Sequence, residues 1–233
     1  MSYFSRISIK ADALATLSES LCSGDAYRDH ALMWRLFPDQ PNAPRDFLFR
    51  AEGGSNGVLR YFLQSARLPM SWHPSVKVES KPYQPLLSAG EWVHFSVRAN
   101  PVIAVSPVHG QRGQRHDVLM HAKKTAKQAG LSGVELQAAI DQAAMVWLIK
   151  RAENWGLKID PEDILIGAYQ QHHLRNKGRS LRYSSVDYQG VATVTEPDRL
   201  AQTLLGHPPQ GGLGGLGHAL AFGCGLLLVK RLP

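Results

Sequence analysis

The chain has 233 residues and a mass of 25.7 kDa, which allows one large domain or two small ones. Hydrophobic residues make up 44% and charged residues 19%, so a packed core is possible and disorder throughout is excluded. Lys and Arg number 26 against 19 acids, and this charge of +7 favours a polyanionic partner, nucleic acid first and an anionic membrane second. No apolar run reaches the roughly 18 residues that a membrane span needs. The opening MSYFSRISIK lacks the plan of a signal peptide, and Cys22 and Cys224 lie too far apart in sequence to form a ligand cluster. A reduced, cytoplasmic protein is the expectation.

Residues 3–9 alternate polar and apolar as an edge strand would. Ser23 or Asp25 caps a helix through DAYRDHALMWRLF that Pro38 stops. After a Pro-rich loop, 47–54 and 57–66 read as two strands around the glycine turn GGSNG, and 76–80 as a fourth. A boundary near residue 90 divides the chain into 1–90 and 91–233. The second unit opens with the longest β-like run, 91–105, then a basic, Gly-rich stretch that turns helical. Residues 134–156 have strong helical periodicity, with Gly156 as the stop. Strands 164–174 and 180–194 flank the turn RNKG, 196–206 reads as a short helix, and LLLVKRLP as a last strand. Both halves follow strand, helix, two strands, helix, strand, although the second helix of the first half is poorly visible. The fold expected is α+β, two tandem ferredoxin-like (RRM-like) domains with antiparallel sheets.

Three places could carry chemistry. Tyr27 and His30 sit about 60° apart on one face of the first helix, with Trp34 and Phe37 behind. A histidine on an apolar stripe is usually a packing residue, but imidazole can also move protons near neutral pH. The second place is a pair of basic stretches. Residues 106–127 carry Arg112, Arg115, Lys123, Lys124 and Lys127 against the single acid Asp117. Residues 164–186 contain no acid and carry His172, His173, Arg175, Lys177, Arg179 and Arg182, a cationic finger suited to phosphate. The third is the glycine-rich run 206–225, whose backbone N–H groups could cradle phosphate oxygens. It is no Rossmann or P-loop, because only one strand follows it. His172 and His173 are adjacent, His116 and His121 are five apart, and neither pair has a carboxylate at ligand spacing, so no metal site is expected.

Taken together, YRDHALMWRLFP (27–38), RDFLFR (45–50), LQSARLP (63–69), VRANP (97–101) and GLGHALAFGCGLLLV (215–229) resemble the CRISPR-associated CasE (Cse3) endoribonuclease family nearly end to end. The resemblance implies two ferredoxin-like domains and cleavage of CRISPR precursor RNA at the 3′ base of the repeat hairpin, with no metal or other cofactor. The 2′-hydroxyl attacks, leaving a 2′,3′-cyclic phosphate and a 5′-hydroxyl, and the enzyme stays on the mature RNA as a Cascade subunit. It implies His30 and Tyr27 as catalytic, a basic hairpin over 172–183 entering the stem, and the loop glycines Gly215, Gly217, Gly223 and Gly225 against RNA. Arg112 and Arg115 join the RNA-binding set. Lys177, Arg179 and Arg182 are the candidates for a cation that assists the chemistry. The partners implied are the repeat hairpin and the Cascade backbone subunits, with no membrane. One departure is Leu220, which stands where members often carry a basic residue; the alternative is therefore a non-catalytic RNA-binding subunit of the same fold.

Overall fold

The computed structural model describes residues 2–10, 25–39, 43–55, 58–106, 113–176, 179–206 and 214–233. Of the positions singled out in the sequence, Cys22, Ser23, Arg112 and Lys177 lie outside these residues, as do the side chains of Arg175 and Arg179.

The first half folds as β1 (Tyr3–Lys10), α1 (Asp25–Trp34), β2 (Phe47–Ser55), β3 (Val58–Ser65) and β4 (Val76–Pro82). The sheet runs β2-β3-β1-β4, antiparallel throughout. This is the ferredoxin-like order, with residues 66–75 crossing without a helix where that pattern has its second one. β1 is therefore not the edge strand that its alternation suggests. It is bonded on both sides, to β3 and to β4. Alternation reports that one face of a sheet is open, and carries no information about its edges. Ile7 and Ile9 on the covered face meet Leu32, Met33, Leu36 and Phe37 from α1 and the turn after it, over Phe47, Phe49, Tyr61 and Leu63. Each such side chain contributes about 1.5–3 kcal/mol on leaving water.

The second half repeats the plan with insertions. β5 (Trp92–Ala99) pairs with β11 (Leu227–Arg231) on one side and with β10 (Arg179–Val194) on the other. β10 pairs in turn with β9 (Ile164–Asn176) and the short β8 (Leu157–Lys158). The run 91–105 is two strands rather than one. It breaks at Asn100–Pro101, where Pro101 has no N–H to donate to a ladder and the Asn100 amide donates to the Ser184 carbonyl at 2.8 Å. β6 (Val102–Val105) then pairs with β7 (Gln114–Asp117) as a separate hairpin. α2 (Val118–Gln128) is capped by the Asp117 carboxylate, which accepts from Met120 N at 2.8 Å. α3 (Gly133–Ala152) continues through a 3-10 turn to Gly156 at φ 77°, the left-handed stop read from the sequence. α4 (Pro197–Leu205) follows β10. The core of this half joins Val93, Phe95 and Val97 of β5 to Trp147 and Leu148 of α3 and to Leu200 and Leu204 of α4. Among the described residues no helix is long and apolar enough to cross a membrane.

The two sheets are tied where β2 meets β5. Arg50 Nη1 donates to Ser96 Oγ at 2.7 Å, and Arg98 Nη1 donates to the Ala51 carbonyl at 3.3 Å. Gln64 of β3 donates to the carbonyl of Leu205 at 2.7 Å. The glycine loop ahead of β11 wedges into this junction. Gly225 N donates to the Arg98 carbonyl at 2.7 Å, Leu216 N to the Gly225 carbonyl at 3.0 Å, and Gly223 lies against the Phe49 ring.

Gly225 sits at φ 88°, and a Cβ there would collide with the Leu220 side chain and stand 2.9 Å from Leu216 N. Gly225→Ala is therefore expected to cost about 1–3 kcal/mol and to lower Tm by about 3–10 °C in a melting experiment. An unchanged Tm would show that the loop tolerates a side chain at its centre.

Candidate active site

Three segments far apart in sequence converge here: α1, the glycine loop and the β9–β10 hairpin. Tyr27 and His30 lie half-buried on α1, off the buried stripe of Leu32, Met33 and Leu36. His30 thus lies outside that fully buried stripe. The Tyr27 ring stands edge-on to Phe222 of the glycine loop, with centroids 5.3 Å apart, and His30 lies 6.3 Å from the same ring. Phe222 stacks on Tyr183 of β10 at 5.4 Å, and Tyr183 stacks on His172 of β9 at 4.4 Å. Tyr183 and His172 are direct cross-strand partners in the hairpin, which fixes their rings face to face. This continuous run of rings links the first helix to the second-half hairpin through one phenylalanine. The His172 ring is further held by Ser185 Oγ at 2.8 Å.

The Trp34 indole N–H donates to His30 Nε2 at 3.2 Å, one helical turn along α1. Indole only donates, so Nε2 accepts, and the neutral ring carries its hydrogen on Nδ1. Nδ1 is shielded from solvent beside the Ala221 backbone and makes no hydrogen bond of good geometry. Nε2 is therefore the nitrogen with a lone pair to offer. Burial lowers the imidazole pKa below its ordinary 6.5, the nearby Arg45 guanidinium lowers it further, and the Ala221 backbone offsets part of both. On balance the surroundings of His30 favour the neutral ring over the imidazolium.

The hairpin and β7 enclose a cleft of about 590 Å³ that opens beside the rings. Arg115, His116, His172, His173, Arg182 and His218 line it, with Tyr183 and Phe222 at the end nearest α1. Among the described residues Asp117 is its one acid, and that carboxylate is occupied by Met120 N at 2.8 Å, by the Tyr169 hydroxyl at 3.2 Å and by Ser184 Oγ. Burial lowers the pKa of His172, aided by Arg98, and that of His218, aided by Arg115 and Arg151, so the cleft's arginines, Arg115 and Arg182, supply its permanent charge.

Of the residues singled out in sequence, Tyr27 and His30 come together, and Arg115, His172, His173 and Arg182 share the cleft. Arg175 and Arg179 fall at the far end of the hairpin, where Arg175 is opposite Ser180 and Arg179 opposite Asn176. The glycines divide. Gly217 is exposed and Gly215 half-buried, whereas Gly223 and Gly225 are buried. The expected backbone cradle is corrected at Gly225, because its N–H is already bonded to Arg98. Glycine is needed there for close packing rather than for phosphate. Leu220 belongs to the same packing, since its side chain covers Gly215 and Gly225. Sequence reasoning did not single out Phe222, Tyr183 or Arg45. The signal for Tyr183 lay in the hairpin register opposite His172; nothing local in sequence marks the other two.

In an NMR titration of the free protein, the His30 ring is expected to titrate below 6.5, because burial and Arg45 both disfavour the imidazolium. A midpoint above 6.5 would contradict this account of its surroundings.

The family described as CRISPR associated protein matches residues 2–231. The CRISPR system Cascade subunit CasE of Escherichia coli (strain K12) is 26% identical over 211 residues, covering 90% of this chain and 94% of its own. The crystal structure of the CRISPR-associated protein Cas6e from Escherichia coli str. K-12 matches with a TM-score of 0.63 at 22% identity, over 99% of this chain and 100% of that one. Thermus thermophilus Cse3, bound to an RNA representing a pre-cleavage complex, matches with a TM-score of 0.67 at 20% identity over the same shares. These structures have the same tandem ferredoxin-like fold. With the family match spanning nearly its whole length, the chain belongs to the CRISPR-associated protein family.

Proposed function

We propose that the protein is an endoribonuclease that processes CRISPR precursor RNA, cutting at the 3′ base of the repeat hairpin and staying on the mature RNA as a Cascade subunit. One observation carries the reading: a run of rings connects His30 to a cleft whose one acid among the described residues is already hydrogen-bonded. The kinship with CasE and with RNA-bound Cse3 supports the same substrate class.

RNA brings its own nucleophile, so the protein must align it, move protons and stabilise charge. The 2′-hydroxyl upstream of the cut donates to His30 Nε2, in the place that the Trp34 indole holds in the free protein. As its proton passes to His30, the 2′-oxygen bonds to phosphorus. The bond from phosphorus to the 5′-oxygen then breaks, that oxygen leaves with a proton taken from water, and His30 returns its own proton to solvent. The products are a 2′,3′-cyclic phosphate and a 5′-hydroxyl. The Tyr27 hydroxyl, one turn before His30, orients the reacting groups or donates to the developing charge. The hairpin holds the stem, chiefly through phosphates and shape, as suits A-form RNA.

No step needs a metal ion. Incubation with repeat RNA in EDTA is expected to give a single cut with those two end groups. Cleavage that vanishes in EDTA and returns with magnesium would contradict the mechanism, and tight binding without any cut would favour the non-catalytic alternative.

Replacing Arg175, Lys177, Arg179 and Arg182 together with Ala is expected to weaken hairpin binding. It should also flatten the salt dependence, by roughly 0.7–0.9 in slope per lost phosphate contact. An unchanged affinity and slope in a binding titration would show that the stem docks elsewhere.

A further inference from the structure

We propose that Arg45 is the cation that meets the scissile phosphate, donating to its non-bridging oxygens while His30 takes the 2′-hydroxyl proton. This rests on the reading of His30 given above.

Arg45 lies two residues before Phe47, the first residue of β2. The Phe47 ring meets Trp34 edge-on at 5.2 Å, and Trp34 in turn donates to His30. This packing sets the start of β2 against the His30 side of α1, and the Arg45 charge is felt at the His30 ring.

The guanidinium is half-buried and unmatched. Its Nη1 is sealed from solvent without a hydrogen bond, and among the described residues no carboxylate pairs with it. Two carboxylates in the same region are already engaged. Asp46, the next residue, takes both ends of the Arg67 fork at 2.7 Å each. Asp29 of α1 accepts from the Tyr61 hydroxyl at 2.8 Å and from Arg28 at 3.4 Å. A buried donor without an acceptor costs free energy, the more so when it is charged. The native state tolerates this where a ligand brings the acceptor. Here the matching ligand is an anion with two oxygens at fork spacing, as in a phosphodiester.

The chemistry calls for such a group. When the 2′-oxygen attacks, the non-bridging oxygens gain negative charge, and a preorganised fork in a partly dry site stabilises them. Other described cations near the rings are placed differently: Arg98 is held by Asp187 at 2.7 and 2.8 Å, and Arg115 and Arg182 line the cleft, Arg182 on the exposed hairpin opposite His173. Arg45 also acts on His30 before any RNA arrives. Its charge, together with burial, keeps the ring neutral. Of the other titratable groups here, Tyr27 stands one turn before His30, and Asp29 beside it is engaged as described.

The test uses the full chain and Arg45→Ala, Arg45→Gln and Arg45→Lys. It reads single-turnover cleavage of repeat RNA in EDTA, hairpin affinity, and the His30 midpoint by NMR in the free proteins. Loss of the cation is expected to slow cleavage about a hundredfold or more in the Ala and Gln variants, with affinity changed only a few-fold. The His30 midpoint should rise in both. Arg45→Lys keeps the charge and loses the fork, so the midpoint stays low while cleavage slows about tenfold. Wild-type cleavage by Arg45→Gln would overturn the proposal, whether or not the midpoint moves, and so would an affinity loss as large as the rate loss. If the wild-type protein fails to cut repeat RNA at all, the proposed function fails. The midpoint shift, read without RNA, would still decide whether Arg45 faces His30.

Discussion

Arg98 ties β5 to β10, to the first sheet and to the glycine loop. Its guanidinium grips Asp187 of β10 through two bonds of 2.7 and 2.8 Å and donates to the Ala51 carbonyl of β2. Its own carbonyl accepts from Gly225 in the loop before β11. A forked, charge-assisted pair of this kind is among the stronger polar contacts available to a partly buried arginine. One residue thereby fixes the register of the second sheet, the approach of the first sheet and the seat of the glycine loop. Phe222 stands three residues from Gly225, so its contact with Tyr27 and His30 depends on that seat.

The electrostatics of the site follow from where the acids go. Asp187 is held by Arg98, Asp46 by Arg67, Asp29 by Tyr61 and Arg28, and Asp117 by the start of α2 with Tyr169 and Ser184. Among the described residues, these carboxylates near the rings are thus spent on structure, while Arg115 and Arg182 line the cleft and Arg45 is half-buried. A cationic surface attracts RNA, but the same field opposes a second positive charge on His30. A histidine kept neutral among arginines is in its proton-accepting form at pH 7, although its lowered pKa makes it a weaker base.

Much of this was legible from residue pattern. Helical spacing put Tyr27 and His30 on one face, and the acid-free stretch 164–186 pointed to a cationic hairpin. The element order gave two ferredoxin-like halves, and the paired end motifs gave the family. Other features depend on contacts between distant segments. The alternation of β1 could not say that both of its edges are bonded. The break at Asn100–Pro101 depends on a bond from Asn100 to Ser184, across the sheet. The spacing of Gly223 and Gly225 fitted a phosphate cradle as well as a packing seat, and only the bond from Gly225 to Arg98 separates the two at that position. Arg45 carries no local mark, because its place beside His30 comes from the packing of Phe47 on Trp34.

The most direct measurement is a single-turnover cleavage rate beside a hairpin binding curve for His30→Ala. If His30 accepts the 2′-hydroxyl proton, cleavage falls by about 10²–10⁴-fold while affinity barely moves, because an imidazole at the scissile position makes few contacts with the bound stem. Near wild-type cleavage by the folded variant would contradict the account, since it would leave His30 as no more than part of the packing around Phe222.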